Sequence, residues 1–153
     1  MRTIRNNLLK ITGVLALMTL ALGLAQEGAA SIDVAESADH GQYLTDAEGM
    51  ALYIFVPDAQ GASTCYDDCA TNWPPFTVAS ADALPTLAEG LDSAMLGTVE
   101  RDDGTIQVTY NGWPLYYFAG DTEMSQTNGQ AVGDNWYLLD PAGEAIGMAA
   151  PAG

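Results

Sequence analysis

The sequence predicts an all-β protein built from antiparallel hairpin repeats. The run ALYIFVPD at 51–58 returns as PLYYFAGD at 114–121, so Tyr116 follows Tyr53 by 116 − 53 = 63 residues. Trp136 follows Trp73 at the same distance, and matches in one register indicate an internal repeat. Short β-prone runs between Gly and Asp turns favour strands. We therefore expect one compact sandwich- or barrel-like domain, with short helical turns in the connector between the repeats.

The first 25 residues have the composition of an export signal. Arg2, Arg5 and Lys10 precede a mostly apolar run of twelve residues at 11–22, and small residues then lead to a predicted cleavage site after Ala25. A bilayer-spanning helix needs ~20 apolar residues, which favours a cleaved signal over an uncleaved membrane anchor. No Cys lies near the cleavage site, so a lipid anchor is not expected. The sequence predicts a secreted or periplasmic protein without stable membrane insertion.

Charge becomes strongly one-sided after the predicted signal. All twenty acidic residues follow Ala25, whereas Arg101 is the only Lys or Arg there, which gives a net charge of 1 − 20 = −19. Such a chain repels nucleic acid and anionic lipid, and it favours cations or basic envelope partners. Scattered carboxylates are also typical of a solvated acidic coat. The partner is not specified by the sequence.

The first repeat, at about 43–76, follows a predicted flexible lead-in over residues 26–41. Strands are expected at 42–45 and 51–56, joined by a turn at 46–49. Both faces of the second strand are apolar, which predicts burial between layers. Residues 59–76 are expected to form an irregular loop, because two consecutive prolines exclude a central strand or a helix interior.

A connector at 77–95 separates this repeat from the second, at about 96–140. Apolar spacing within 81–95 is compatible with one or two amphipathic helical turns, although Pro85 and Gly90 weaken that interpretation. Strands are expected at 96–100, 105–110 and 115–118. Asn111-Gly112 is the commonest signal for a type I′ turn, so these strands should form a meander.

The chain ends on an echo of its first hairpin. Residues 137–143 repeat the register of residues 43–49 at an offset of 137 − 43 = 94. We expect a closing hairpin at 136–148, which could cover a sheet edge that two repeats would leave unpaired. A frayed tail is expected at 149–153.

These motifs resemble the secreted-repeat family of bacterial exported proteins and lipoproteins. The family motif, Tyr-x-aromatic-x-x-Asp, corresponds here to Tyr53, Phe55 and Asp58, and again to Tyr116, Phe118 and Asp121. Its Cys-x-x-x-Cys and Trp-Pro-Pro elements correspond to Cys65, Cys69 and Trp73, and its late Trp corresponds to Trp136. Many members carry a lipidated N-terminal Cys, which this chain lacks. The resemblance implies an exported β-rich repeat domain of unassigned role, without implying an activity.

Cys65 and Cys69 are the only thiols in the chain. An oxidising compartment favours a structural disulfide on the surface. The alternative is a redox dithiol, but the intervening Asp67 and Asp68 disfavour a thiolate, which needs a positive environment or a helix N-terminus.

Asp58 and Asp121 end equivalent strands and are the next candidates for chemistry. They could act as ligands or as a split acid/base pair, but an Asp in this position more often accepts N–H bonds from its own turn. A calcium site could involve Asp67-Asp68 and Asp102-Asp103, although no Asp-x-Asp-x-Asp-Gly loop is present. His40 is the only histidine.

Three functions remain open on the sequence. The first is a non-catalytic domain for binding or cell-envelope association, with no catalytic residues, metal or cofactor. The second is a redox or electron-transfer accessory that uses Cys65 and Cys69 or the aromatic motifs. The third is a divalent-cation binder.

Overall fold

The computed structural model describes residues 30–58 and 61–148. The predicted signal, the first four residues of the predicted lead-in (26–29) and the predicted tail lie outside these ranges. Short strands in three small sheets dominate the architecture, with orders β2-β1-β5, β3-β9 and β4-β7-β6, and β8 pairs with β7. The strands are β1 (Ser31–Ser37), β2 (Gly41–Thr45), β3 (Tyr53–Phe55), β4 (Thr77–Val78), β5 (Thr86–Leu87), β6 (Leu96–Glu100), β7 (Ile106–Tyr110), β8 (Trp113–Pro114) and β9 (Trp136–Leu138).

The all-β prediction is confirmed. Within the described residues the only α-helix is α1 (Asp68–Asn72), and the remaining helical segments are single 3₁₀ turns. The sheets of this part of the chain do not close into a barrel, so the sandwich-like alternative is the one that agrees with the structure.

The expected flexible lead-in is wrong from Ser31 onward, because Ser31–Ser37 forms β1 and pairs antiparallel with β2 over five residue pairs. Its Ala-, Glu- and Ser-rich composition has low β-propensity. The pairing with β2 and the burial of Ile32 on the core supply what the local sequence lacks.

The second repeat agrees with the predicted meander at its start and departs from it at its third strand. β6 and β7 pair antiparallel from Leu96 and Tyr110 onward. Asn111 and Gly112 have φ values of 53° and 80°, as a type I′ turn requires. The strand after the turn is limited to Trp113–Pro114, because after Leu115 the chain leaves β7 and Tyr116 forms bridges with Tyr53 and Pro75 instead.

The loop and the connector contain more structure than the sequence indicated. The loop at 59–76, expected to be irregular, contains α1 just before the two prolines. In the connector the helical expectation reduces to one 3₁₀ turn, Ser93–Met95, while Thr86–Leu87 forms β5 beside β1. Gly90 has a φ of 97°, which is incompatible with a continuous helix through this segment.

The closing segment pairs with the body of the domain, as expected. β9 pairs antiparallel with β3, joining Phe55 to Trp136. Its turn repeats the first hairpin in detail: Asp46 N donates to Met50 O, and Asp140 N donates to Glu144 O 94 residues later. The sequence echo therefore corresponds to a real structural copy.

The two repeats exchange their last strands. β9, from the second repeat, pairs with β3 of the first. In return, Pro75 at the end of the first repeat bridges Tyr116 of the second, and β4, which follows directly, pairs with β7. Between them, Tyr53 N donates to Tyr116 O and Tyr116 N donates to Tyr53 O, at 2.8 and 2.9 Å. Such reciprocal contacts indicate a pseudo-two-fold axis between the motifs rather than a translation.

Two hydrophobic clusters form the core. One is mostly aliphatic and includes Ile32, Leu44, Leu52, Ile54 and Leu115. The other is mostly aromatic and lies on the pseudo-two-fold axis. It is built around Tyr53, Trp73, Tyr116 and Trp136, with Cys65 among its buried members. We refer to this second group as the aromatic cluster.

Candidate functional site

The two family-type motifs meet in the aromatic cluster and exchange hydrogen bonds. The Tyr53 hydroxyl donates to Asp121 Oδ2 at 2.6 Å, and the Tyr116 hydroxyl donates to Asp58 Oδ2 at 2.6 Å. Each tyrosine therefore binds the aspartate of the other repeat. Because both pairs are equivalent under the 63-residue offset, this exchange is the most direct expression of the pseudo-two-fold axis.

The aspartates also fix the loops that follow them. Asp58 Oδ1 accepts the Thr64 N–H at 2.8 Å, and Asp121 Oδ1 accepts the Asn128 N–H at 2.8 Å. These amides lie six and seven residues downstream, so each carboxylate fixes a longer loop instead of the local turn that the sequence suggested. Asp58 is fully buried and Asp121 is 6% exposed. Burial raises the pKa of the Asp58 carboxyl, against the hydrogen bonds from Thr64 and Tyr116, which lower it.

Four rings form one stacked column across the axis, in the order Phe55, Trp136, Trp73 and Phe118. The indoles of Trp73 and Trp136 are 3.8 Å apart at an interplanar angle of 1°. Phe55 stacks on Trp136 at 4.3 Å and Phe118 stacks on Trp73 at 4.2 Å. We call this arrangement the aromatic column. Phe55 and Phe118 are related by the same 63-residue offset, so the column is itself symmetric.

Both tyrosines contact this column edge-on. Tyr53 meets Trp73 at a centroid distance of 5.5 Å and an angle of 82°, while Tyr116 meets Trp136 at 5.2 Å and 89°. Perpendicular contacts of this kind are among the favoured aromatic geometries. Each tyrosine therefore joins a tryptophan on one side to a buried carboxylate on the other.

Gly129 packs against the rings of Trp73 and Tyr53. A Cβ atom at this position would lie 2.8 Å from the Trp73 ring and 2.9 Å from the Tyr53 ring. Its N–H donates to the Tyr53 hydroxyl oxygen at 3.1 Å. Only glycine allows the backbone to approach both rings so closely.

Arg101 lies beside the other tyrosine, 3% exposed. Its guanidinium donates to the Ser63 hydroxyl at 2.6 Å and to the Cys65 carbonyl at 2.7 Å, and the Tyr66 ring covers it at 4.3 Å. Since the Tyr116 hydroxyl gives its proton to Asp58, Ser63 donates in turn to Tyr116 across 2.7 Å. The charge of Asp58 is thus connected to Arg101 through two hydroxyl groups.

Cys65 and Cys69 are bonded to each other, with Cα atoms 5.3 Å apart. Contrary to the expected surface position, Cys65 is fully buried in the aromatic cluster, and Cys69 packs against it. The reason is the contact between the Cys65 carbonyl and Arg101, which holds the loop against the interior. The ten residues proposed from the sequence therefore gather in one region.

A comparison with protein-family models matches residues 34–77 and 97–140 to a family described as a secreted repeat of unknown function. The two matches start 63 residues apart, which is the offset that the aromatic column and the tyrosine–aspartate exchange obey in space. This chain belongs to that family. No curated protein and no solved structure matched the chain.

Across the described ranges, no helix has the length and apolar character needed to cross a bilayer. The predicted signal and its cleavage site lie outside these ranges.

The acidic pairs considered for calcium lie on two segments that one hydrogen bond connects. The Asp102 N–H donates to the Tyr66 hydroxyl at 2.9 Å, which brings the turn after β6 against the residue that precedes Asp67 and Asp68. Within residues 30–58 and 61–148, however, no group of three or more His, Cys, Asp or Glu side chains could hold a metal ion.

The surface of the described residues includes two depressions away from the column. One, of about 220 Å³, includes Asp46, Glu48 and Tyr117, and the Tyr117 hydroxyl donates to Asp46 Oδ2 at 2.9 Å. The other, of about 470 Å³, includes His40, Gln42 and Asp140. Neither depression is lined by a residue of the aromatic column.

Several residues of the site escaped the sequence analysis. Ser63 and Gly129 each form a hydrogen bond with one of the two tyrosines, and Arg101 reaches Tyr116 through Ser63, yet none of the three belongs to the repeated motif. Arg101 carried one signal, as the only Lys or Arg after the predicted signal peptide. A lone cation in so acidic a chain is a reasonable candidate for an internal role, because the surface has little need of it.

Proposed function

We propose that this chain is an exported, non-catalytic domain that associates with positively charged partners of the bacterial cell envelope. The observation that carries the proposal is the separation of charge between surface and interior. Fourteen acidic residues are exposed in the described part of the chain, whereas Arg101 is 3% exposed and its guanidinium donates to oxygens of the interior. The surface thus presents negative charge that this arginine does not offset.

A surface of one sign selects partners by charge. It accelerates encounter with basic partners and repels anionic ones, and both effects weaken as salt screens the charges. Bacterial envelopes are rich in anionic polymers, so retention there would require a cationic component rather than general adhesion. Release from the membrane after cleavage near Ala25 is part of the proposal.

The position of Asp58 and Asp121 supports a non-catalytic role. A general acid or base must come within hydrogen-bonding reach of its substrate. Both carboxyls are buried, and each already accepts a tyrosine hydroxyl and a backbone amide. Their hydrogen bonds stabilise the interior, and none of these bonds is directed toward an open cleft where a substrate could bind.

The test is fractionation of bacterial cells that produce the full chain. The domain should sediment with washed envelopes at low ionic strength and should be released by salt. Free protein in the medium or periplasm at low salt would contradict the proposal.

A matched pair of variants separates a charged surface from a metal site. Asp67→Asn with Asp68→Asn and, separately, Glu36→Gln with Asp39→Asn each remove two exposed charges, the first pair at the start of α1 and the second at β1 and the turn after it. Both should weaken envelope retention similarly and make its release occur at lower salt. Retention that depends on added Ca²⁺ and is lost only in the Asp67/Asp68 variant would overturn the proposal in favour of cation binding.

A further inference from the structure

We propose that the aromatic column and its two tyrosines form a one-electron relay, which takes an oxidising equivalent from the surface to the buried tyrosine–aspartate pairs. The relay uses the interior of the domain and does not depend on the basic partner proposed above. Its redox-active rings are Trp73 and Trp136, with Tyr53 and Tyr116 as the terminal sites.

The two indoles at the centre of the column contact each other face to face. Tryptophan loses an electron far more readily than phenylalanine, and two parallel indoles 3.8 Å apart can share the resulting positive charge. Phe55 and Phe118 cover the outer faces of this pair. They shield the pair from water without competing as oxidation sites.

Each tyrosine packs directly against one indole of the column. Tyr53 contacts Trp73 and Tyr116 contacts Trp136 at centroid distances of 5.5 and 5.2 Å. An electron therefore passes from phenol to indole across directly packed rings, without an intervening residue.

Each tyrosine also has a nearby acceptor for its phenolic proton. A phenol that loses an electron becomes a strong acid, so its oxidation is easiest when a base accepts the proton at once. Asp121 and Asp58 each lie 2.6 Å from a phenolic oxygen, which is the range of a strong hydroxyl–carboxylate hydrogen bond. Neither proton needs to reach the solvent.

The reaction needs one external oxidant, which takes up one electron, and the proton stays inside the domain. A one-electron oxidant of the transition-metal-complex or inorganic-radical class removes one electron from the indole pair and leaves an indole radical cation. Tyr53 then returns one electron to the indole and transfers its O–H proton to Asp121. The products are a neutral tyrosyl radical, a neutral carboxylic acid and the restored indole. Tyr116 and Asp58 perform the same step on the other side.

The test uses photogenerated ruthenium(III) tris-bipyridine, a cationic oxidant that the acidic surface attracts. All proteins carry Trp113→Phe, because Trp113 lies outside the column and would otherwise add its own radical signal. Transient absorption after the laser flash then follows the indole radical of the column. We expect it to decay into a tyrosyl radical, more slowly in deuterated water than in ordinary water.

Replacing both terminal sites, Tyr53→Phe with Tyr116→Phe, should lengthen the life of the indole radical at least about tenfold, equivalent to ~1.4 kcal/mol of activation free energy. Asp121→Asn with Asp58→Asn should also slow the decay and remove the isotope effect, because the proton acceptors are gone. Tyr137→Phe is the matched control, and it should leave the lifetime unchanged.

Circular dichroism provides the check on folding. The parallel indoles of Trp73 and Trp136 should give an exciton couplet, and each variant is used only if that couplet is kept. If a double variant loses it, the single variants Tyr53→Phe and Tyr116→Phe must each lengthen the lifetime. An indole-radical lifetime that is the same in the folded tyrosine variants as in the parent protein would overturn the relay.

Discussion

At the scale of single residues, the stability of the interior depends on how buried carboxylates find donors. Burial of an unpaired carboxylate is costly, and a hydroxyl donor offsets part of that cost. In the described part of the chain, each of the three buried carboxyls accepts a tyrosine hydroxyl. These pairs are Asp46 with Tyr117, Asp58 with Tyr116 and Asp121 with Tyr53.

The pair of Tyr116 and Asp58 yields a direct stability prediction. Tyr116→Phe removes a donor to a fully buried carboxyl and should lower the free energy of unfolding by about 2 kcal/mol. Urea unfolding followed by fluorescence measures the change. Tyr137→Phe is the control, since no hydrogen bond joins its hydroxyl to the described residues, and it should have little effect. Equal losses in both variants would contradict this account.

Tyr116 also predicts loss of stability in alkali. Burial, followed by the hydrogen bond to Asp58, raises the pKa of Tyr116 to about 12, whereas an unfolded tyrosine titrates near ~10. The folded state thus retains a proton that the unfolded state releases. The resulting stabilisation is fully present below pH ~10 and is lost as the pH rises through the folded pKa.

Urea unfolding at a series of alkaline pH values measures this decline. Tyr116→Phe should make it less steep. Burial also raises the pKa values of Tyr53 and Tyr117, so part of the decline should remain. A free energy of unfolding that is constant across the tyrosine range would contradict the prediction.

At the scale of elements, turns are stabilised by side chains that the repeat reproduces. Asp46 Oδ1 accepts the N–H groups of Glu48 and Met50. In the same way, Asp140 Oδ1 accepts the N–H groups of Ala142 and Glu144. The loop from Ser63 to Cys69 has no such copy, and it is held by its disulfide and by Arg101.

The disulfide should therefore stabilise this loop without cycling. Cys65→Ser with Cys69→Ser should lower the free energy of unfolding by ~2 kcal/mol, as the chain-entropy model gives for so short a loop. For a structural bond we expect a reduction potential below about −300 mV. Equilibration of the folded protein in glutathione buffers, followed by alkylation and mass spectrometry, measures it. A midpoint near about −200 mV would instead support a redox dithiol.

At the scale of the whole molecule, the exchange of last strands makes the two repeats interdependent. Each repeat contributes one tryptophan and one phenylalanine to the aromatic column, and each supplies the aspartate that the other repeat's tyrosine needs. Neither repeat contains a complete core of its own. Folding should therefore be cooperative over the entire described range.

Separating the repeats tests this interdependence. Chain division between Glu89 and Gly90, both exposed, cuts the connector outside β5 and β6. The fragments 26–89 and 90–153 should each lack cooperative unfolding and the exciton couplet of Trp73 and Trp136. Mixing them should restore both properties at a one-to-one ratio. Cooperative unfolding of either fragment alone would show that the exchange is not essential.

The sequence by itself determined much of the local structure and of the membership of the site. Strand-forming runs, the Asn111-Gly112 turn and the closing copy of the first hairpin could be predicted because they depend on neighbours in the chain. The repeat also identified the aromatic residues and both aspartates, because one offset relates Tyr53 to Tyr116 and Trp73 to Trp136.

Only the tertiary structure decided how these residues meet. A repeat offset is the same for a translation and for a rotation, so the reciprocal pairing of Tyr53 with Asp121 was not encoded in any spacing. β1 depends on its partner strand, since its own composition disfavours a strand. Arg101 and Gly129 acquire their roles from packing between distant segments. The sequence therefore determined the parts and their turns, whereas contacts between the repeats decided the symmetry, the column and the buried charges, because those contacts join residues far apart in the chain.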